Sequence, residues 1–272
     1  MSSATRLAGK RLTSHEAITN AVPALSGTLA DMKLLLDQSL LTGVLHPIIH
    51  GFNYSQAAVQ DAIPWRWGPE IGTRAPYPVD GSAGSLWIHL DPSESLLLVF
   101  EPPEADLPDR APAPVRPSLP PTEWMAVAAE WAVSFHHGIE DRSFERTLRP
   151  LEDLSLSPEP ELASFAGTLV YRTIFDVADR PFDRLDLGEA NGVTEVKLNG
   201  QPPGVRWWGR HTYDVAGVLK PRSNTLEVDV TTVVANYARS LKDNPAAQRW
   251  AWWFPPISTG LVGPVKLLKT AR

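Results

Sequence analysis

The sequence predicts a mainly β protein whose C-terminal half folds as an antiparallel β-sandwich. Val196 and Leu198 alternate with charged and polar residues, the pattern of a strand with one buried face. The Asn-Gly pair at positions 199–200 tolerates positive φ and favours a two-residue hairpin turn. The same alternation recurs in residues 226–230 and 169–175. Several short strands separated by turn signals favour a sandwich.

Composition limits the classes of function. The net charge of −6 is spread along the 272 residues, which argues against nucleic acid as a partner. The absence of cysteine excludes disulfides and thiolate metal sites but leaves the compartment open. Residues 1–20 lack the apolar run of a signal peptide, and no stretch reaches the roughly 18 apolar residues of a membrane span. A membrane is therefore not an expected partner either. The ten tryptophans are many for this length, and indoles suit both cores and sugar-stacking surfaces.

A helix is predicted over residues 29–42. Thr28 and Asp31 form a capping box, in which hydroxyl and carboxylate satisfy backbone amides at the helix start. Gly43 stands where a glycine commonly ends a helix. One face of this helix carries the apolar residues Leu29, Met32, Leu36 and Leu40.

Strands are expected on both sides of this helix, within residues 11–18 and 44–50, although Pro47 cannot donate to a ladder. Strand, helix and strand in succession are typical of an α/β segment, unlike the rest of the chain. Proline clusters then mark the boundaries of the regions. The predicted regions are an α/β segment (1–62), a small β region (63–103), a proline-rich linker (104–121) and the β-sandwich domain (122–272).

The second half of the chain contains, in order, the motifs WAVSF (131–135), FAGTLVYRTIF (165–175), LDLGE (185–189), EVKLNG (195–200), DVAGVLK (214–220), NTLEV (224–228) and GLVGPV (260–265). These motifs resemble the C-terminal region of large bacterial glycoside hydrolases, most closely the family 106 α-L-rhamnosidases. WAVSF corresponds to the opening strand of their terminal sandwich. The resemblance covers about half the chain and implies a jelly-roll, galactose-binding-like sandwich. A similar sandwich is an accessory domain in family 2 glycosidases such as β-galactosidases.

Upstream segments extend the resemblance. WGPEIG (67–72) and PSESLLLVF (92–100) resemble the small β region before the sandwich, and residues 11–54 resemble a late piece of the catalytic (β/α)8 barrel through SHEA (14–17) and HGFNYS (50–55). A complete barrel needs about 200 residues or more, whereas about 60 at most could belong to one here. The resemblance therefore implies either the tail of a longer enzyme or a gene that has lost most of its barrel.

The resemblance also implies site residues. Glycoside hydrolysis needs two carboxyl groups across the scissile bond. Glu16, within SHEA, corresponds to the segment where the family places an acid at a strand end, and His15 beside it is expected to orient it and bind substrate. His50, Asn53 and Tyr54 are candidates for a sugar subsite at the barrel mouth. The alternative is a solvated carboxylate and ordinary loop packing, and no second catalytic carboxylate is assigned.

Aromatic residues are the candidates for carbohydrate contact in the sandwich. Trp207 and Trp208 follow the Asn-Gly hairpin, and Trp253 belongs to a cluster near the end of the chain. Indole faces in loops stack on the C–H face of sugar rings. Core and interdomain packing is the favoured alternative, because so many aromatics make up much of a small sandwich's apolar filling.

Histidine pairs do not indicate a metal. His46 and His50 are four residues apart, but no third ligand is spaced to join them. The adjacent pair at 136–137 is expected to mark a strand end. No cofactor is predicted; the family resemblance implies calcium use, without a ligand set in this sequence.

The predicted function is that of a C-terminal portion of an α-L-rhamnosidase-type glycoside hydrolase, which hydrolyses terminal glycosidic bonds, with carbohydrate as partner. The isolated chain is expected to lack a complete active site. The alternatives are a non-catalytic carbohydrate-binding or structural sandwich and the inert remnant of a decayed gene. The sequence leaves the compartment of this chain open, and the resemblance implies relatives that are often periplasmic or secreted.

Overall fold

The computed structural model describes residues 2–10, 13–15, 26–44, 46–47, 121–127, 129–178, 180–245, 247–248 and 255–270. The chain divides into two compact units, one formed by residues 1–63 and 120–272 and the other by residues 64–119. All described residues belong to the first unit. The predicted small β region, and the predicted linker up to residue 120, lie outside the described residues.

The N-terminal part of the first unit contains a strand–helix–strand arrangement, as predicted. Its elements are α1 (Ser2–Leu7), β1 (Ser14–His15), α2 (Leu29–Leu41) and β2 (His46–Pro47). β1 and β2 pair in parallel, with Ser14 opposite His46 and His15 opposite Pro47. Parallel neighbours require a crossover connection, and α2 lies in that connection here.

The capping box predicted at the start of α2 is confirmed. The Asp31 backbone N–H donates to Thr28 Oγ1 at 3.2 Å, and the Thr28 N–H donates to Asp31 Oδ2 at 2.9 Å. Gly43 follows the helix with φ of 87°, a left-handed conformation suited to glycine. The predicted apolar face is only partly covered, because Leu29 and Leu40 are exposed while Ser39 is buried.

The sandwich consists of antiparallel sheets. Its strands are β3 (Pro121–Ala126), β4 (Trp131–His137), β5 (Ser143–Leu148), β6 (Gly167–Phe175), β7 (Arg184–Asp186), β8 (Glu189–Asn191), β9 (Val193–Leu198), β10 (Gln201–Arg206), β11 (Thr212–Asp214), β12 (Asn224–Thr231), β13 (Gly260–Gly263) and β14 (Lys266–Thr270). A six-stranded sheet has the order β10-β9-β12-β6-β4-β5, and a four-stranded sheet has the order β11-β7-β14-β3. β8 and β13 form a separate pair. The short helices are a 3₁₀ turn (Leu154–Leu156), α3 (Pro160–Ala163) and α4 (Ala235–Ser240).

One hydrophobic core joins the two larger sheets. The six-stranded sheet contributes Trp131, Tyr171 and Val228, and the four-stranded sheet contributes Leu185 and Leu267. These side chains come from alternating positions, as expected when each sheet has one buried face. The mainly β class and the two-sheet arrangement are therefore confirmed.

The hairpin turn at 199–200 is also confirmed. Asn199 and Gly200 have φ of 53° and 79°, and Leu198 pairs with Gln201 across the turn from β9 to β10. β10 is an edge strand of the six-stranded sheet and contains two consecutive prolines. Its register shifts between Gln201 and Gly204, which marks a bulge or irregularity in this edge.

The prediction that Trp131 opens the sandwich is wrong, because β3 precedes it. β3 pairs with β14 at the edge of the four-stranded sheet, with Leu268 opposite Trp124. The strand starts with a proline and does not alternate clearly between polar and apolar residues. Proline is tolerated at the first residue of an edge strand. The local sequence pattern therefore does not predict β3, which is a strand because it pairs with β14.

Candidate functional site

Trp207 and Trp208 lie in the loop between β10 and β11, here called the tryptophan loop (residues 207–210). Their ring centroids are 6.5 Å apart and their planes are tilted by 50°. Trp207 is 38% exposed, and neither ring belongs to the hydrophobic core. Neither ring therefore fills the core, and the loop leaves the edge strand β10, whereas packing of Trp208 against the α/β segment agrees with the interdomain part of the alternative.

Trp208 contacts α2. The Lys33 ammonium lies 4.3 Å from the centroid of the Trp208 ring, within the range of a cation–π interaction. Lys33 also forms an ion pair with Asp37, one turn further along the helix. Because Lys33 covers one face of Trp208, Trp207 is the more accessible indole of the pair.

A buried group of three polar side chains, here called the polar cluster (Thr194, His211 and Tyr213), lies beside the ends of the tryptophan loop. Thr194 Oγ1 is 2.5 Å from His211 Nδ1 and 2.6 Å from Tyr213 Oη. The Tyr213 hydroxyl donates to the Thr194 carbonyl oxygen at 3.0 Å. Buried polar groups are costly unless they are hydrogen-bonded, so the cluster constrains the strands that carry it.

Burial shifts the protonation of the cluster. Desolvation lowers the pKa of His211, the positive charge of Arg206 lowers it further, and Asp186 opposes the shift. Burial likewise raises the pKa of Tyr213, against hydrogen bonding from Thr194. His211 is therefore neutral over a wider pH range than a solvated histidine.

Sequence reasoning missed the polar cluster. The sequence feature that could have indicated it is Thr194, which lies on the buried face of β9 together with Val196 and Leu198. A threonine on the buried face of a strand needs a partner for its hydroxyl. The partners, His211 and Tyr213, lie 17 and 19 residues further along the chain, where local periodicity cannot identify them.

His15 is the described member of the predicted barrel site. It is the last residue of β1, and its Nδ1 lies 3.2 Å from Ser39 Oγ on α2. Ser39 Oγ also lies 3.1 Å from the Leu35 carbonyl oxygen, to which its hydroxyl donates. Both His15 and Trp208 thus contact α2, at Ser39 and Lys33 respectively. The other predicted site residues, Glu16, His50, Asn53, Tyr54 and Trp253, lie outside the described residues.

The histidine pair at 136–137 ends β4, as expected. His137 Nδ1 accepts hydrogen bonds from the backbone N–H groups of Ile139 and Glu140, at 3.3 and 3.0 Å. His137 thus serves the turn after the strand. Within the described ranges, no group of three or more histidine, aspartate or glutamate side chains is arranged to hold a metal ion. Nor is any helix of those ranges long and apolar enough to cross a bilayer.

Comparisons with known proteins give partial matches. No family model matches the chain. A curated protein of Formosa agariphila, named "Putative beta-glucuronidase", is 36% identical over 77 residues, which are 26% of this chain and 7% of that protein. The chain thus spans a small part of the length of this relative.

Solved structures of glycoside hydrolases also match in part. A rhamnosidase from Novosphingobium sp. PP1Y is 28% identical, with 58% of this chain and 16% of that chain covered and a TM-score of 0.44. A β-glucuronidase of Ruminococcus gnavus in complex with uronic isofagomine is 16% identical. The match covers 42% of this chain and 23% of that chain, with a TM-score of 0.35.

The fold and the sequence similarity together define only a broad class of protein. The chain is mainly β, with an antiparallel sandwich, and over part of its length it is glycoside hydrolase-like. No finer family is assigned by these likenesses.

Proposed function

We propose that the chain is a portion of an α-L-rhamnosidase-type glycoside hydrolase and takes part in the hydrolysis of terminal glycosidic bonds in carbohydrate. The observation that carries this proposal is the parallel β1–β2 pair with α2 in its connection, joined in one chain to an antiparallel sandwich. The ordered motifs of residues 131–265 and the glycoside hydrolase likeness support it. The jelly-roll, galactose-binding-like type of the sandwich belongs to the same proposal.

The parallel pair supports the proposal that Glu16 is a general acid. In (β/α)8 enzymes the catalytic groups follow the carboxyl ends of the strands. Glu16 follows the end of β1 in the sequence, and His15 before it is anchored to Ser39. β1 and β2 run in the same direction. His50 and Asn53 follow β2 in the sequence, and we propose them for the adjoining sugar subsite.

Glu16→Gln should abolish most of the hydrolysis of an aryl α-L-rhamnoside by an enzyme in which this chain is combined with the rest of a catalytic barrel. The amide cannot protonate the leaving oxygen, and general acid catalysis contributes about 10²–10⁴-fold. The loss should be large for phenyl glycosides and small for dinitrophenyl glycosides, whose leaving group needs little protonation. Release of the phenol at saturating substrate is the measurement.

Asp37→Asn is the matched control, because it also converts a carboxylate to an amide in the α/β segment, at a residue of α2 that pairs with Lys33 and has no proposed role in the reaction. Its rate should stay within about twofold of the unsubstituted chain. Equal losses in both variants would remove the catalytic role of Glu16. A chain that hydrolyses aryl β-D-glucuronides instead would contradict the rhamnosidase type, and no hydrolysis of either glycoside would contradict an active enzyme.

A second candidate function is carbohydrate binding by the sandwich without catalysis. The exposed indole of Trp207, beside Trp208 and outside the core, favours this candidate. An accessible aromatic face offers a sugar ring a stacking surface, and a second tilted indole shapes one side of it.

Trp207→Ala should weaken oligosaccharide binding about tenfold, because the stacking contact of one indole contributes about 1–1.5 kcal/mol. Titration calorimetry of the full chain with plant and microbial oligosaccharides measures the effect. Trp124→Ala is the matched control: Trp124 is an exposed indole of the same sandwich, with Lys266 over its ring at 5.1 Å. Equal weakening by both substitutions, or no binding heat with any oligosaccharide, would contradict a sugar site at Trp207.

A further inference from the structure

We propose that the tryptophan loop recognises acidic sugars: Trp207 stacks on the ring of a uronic acid residue, and Arg206 and Arg210 bind its carboxylate. The inference rests on the proposed carbohydrate surface at Trp207 and Trp208, and it names the class of sugar that this surface takes. Arg206 is the last residue of β10, and Arg210 is the last residue of the loop. One guanidinium therefore belongs to each end of the segment that carries the exposed indole.

Both arginines are exposed, and no carboxylate of the described residues pairs with either of them. The side chain of Arg210 makes no hydrogen bond to the described part of the chain. Arg206 makes one such bond, in which its Nε donates to the Thr212 carbonyl oxygen at 3.2 Å. A guanidinium has five N–H donors in a fixed fork. The two terminal amino groups of Arg206 and the whole fork of Arg210 are therefore open to a ligand.

The acidic side chains of the neighbouring strands are engaged elsewhere. Asp186, at the end of β7, accepts a hydrogen bond from the Gly188 N–H at 2.9 Å. Asp214, at the end of β11, forms an ion pair with Arg184, with the two atoms 3.3 Å apart. Neither carboxylate neutralises the arginines of the tryptophan loop, so their charge remains for an anion from outside.

A third cation lies at the same loop. The Lys33 ammonium is 4.3 Å from the centroid of the Trp208 ring, with Asp37 as its ion-pair partner. The chain as a whole has a net charge of −6, so it repels anions at long range. Arg206, Arg210 and Lys33 together make the surface around the indoles cationic, although the protein as a whole is acidic.

Hydrogen bonds fix the two arginines at the base of the loop. Thr194 Oγ1 lies 3.3 Å from the Arg206 carbonyl oxygen, and the Thr212 N–H donates to the Arg210 carbonyl at 2.9 Å. The bond from Arg206 Nε to the Thr212 carbonyl crosses between these two ends. A ligand that binds both arginines therefore does not have to order the backbone that carries them, which lowers the entropic cost of binding.

The combination of an indole with two arginines favours a carboxylate that is attached to a sugar ring. The indole face of Trp207 stacks on the C–H face of a pyranose. The carboxylate of a uronic acid is attached at the edge of that ring, so it points past the rim of the indole, where a neighbouring guanidinium can meet it. Guanidinium and carboxylate are both planar and join through two parallel hydrogen bonds. A neutral sugar would use the indole alone, and an acidic peptide would use the charges alone.

Titration calorimetry of the full chain with trisaccharides of galacturonic and of glucuronic acid tests the inference. The fully methyl-esterified trisaccharides are the matched ligands, because they keep the sugar rings and lose only the charge. In about 20 mM salt, an acid should bind about tenfold more tightly than its ester, since the ester cannot form the charge-assisted pair. Raising the salt to about 200 mM should weaken binding of the acid about threefold and leave the ester unchanged.

Arg210→Gln should weaken binding of the acid about fivefold and leave the ester unchanged, because it removes one guanidinium from an exposed site. Arg210→Lys should give a smaller loss, since it keeps the charge but not the fork. Trp207→Ala should weaken both the acid and the ester, because both use the stacking surface.

Arg222→Gln is the matched control, because Arg222 is another exposed arginine of the sandwich. It precedes β12, whose residue Val230 lies opposite Thr194, and Thr194 lies opposite Arg206. The length of β12 therefore separates Arg222 from the tryptophan loop by about 20 Å. Loss of its charge should change the affinity for the acid by less than about twofold.

Four results would overturn the inference. Equal affinity for acid and ester would remove the acidic class and leave the sugar surface at Trp207 standing, whereas binding of neither would remove both. Equal weakening by Arg210→Gln and Arg222→Gln would show that total charge, and not the loop, attracts the ligand. A triglutamate peptide blocked at both ends that binds as tightly as the acidic trisaccharides would show that no sugar ring is required.

Discussion

Trp131→Ala should lower the free energy of unfolding by about 3–5 kcal/mol, because it empties the space of a large side chain in a core that cannot collapse to fill it. Trp131 is 1% exposed at the start of β4. Its ring meets the buried ring of Tyr171 edge to face, with centroids 6.4 Å apart and planes at 78°. The substitution removes both the buried area and this aromatic contact.

Urea unfolding followed by far-UV circular dichroism measures this loss as a shift of the midpoint at unchanged slope. Trp124→Ala provides the comparison, since Trp124 is 60% exposed on the edge strand β3. Its cost should be about 0.5 kcal/mol or less. If the two tryptophans cost the same, the six- and four-stranded sheets do not share the core described here.

Gly192→Ala should be destabilising by more than about 3 kcal/mol, because both conformation and space oppose a side chain there. Gly192 has φ of 135°, and a Cβ atom at this position would lie 2.2 Å from the Thr231 carbonyl oxygen. That oxygen belongs to the backbone of β12, beside the point where β8 passes into β9. The clash can be relieved only if the backbone at residue 192 moves away from β12.

Gly200→Ala isolates the conformational part of this cost. Gly200 has φ of 79° in the hairpin turn, and a Cβ atom there would meet nothing within 4 Å. We expect a loss of about 1–2 kcal/mol from the left-handed conformation alone. Equal midpoints in urea for Gly192→Ala and Gly200→Ala would contradict the close approach of residues 192 and 231.

Local patterns carried most of the information on individual elements. Alternation of apolar and polar residues predicted β9 and β12, because every second side chain of a strand points to the same face. Leu226 and Val228 are indeed buried. The capping box of α2 and the Asn199–Gly200 turn depend on neighbours within three residues of each other, so the sequence alone was sufficient to predict them.

Pairing between distant segments could not be predicted in this way. β3 becomes a strand through its contact with β14, which lies more than a hundred residues later. The polar cluster depends on β9 and β11 meeting, and only the folded chain brings Thr194 to His211. The exposure of Trp207 likewise follows from the position of β10 at a sheet edge, which no local pattern of residues 201–210 reveals.

The prolines of β10 bear on how this protein behaves at high concentration. Pro202 and Pro203 have no amide hydrogen to offer along the outer side of the six-stranded sheet, and the shift in register between Gln201 and Gly204 interrupts the regular spacing that an incoming strand would have to match. Two copies meeting at this edge cannot build a continuous ladder, so self-association by strand addition is disfavoured there, beside the loop that carries the exposed indole.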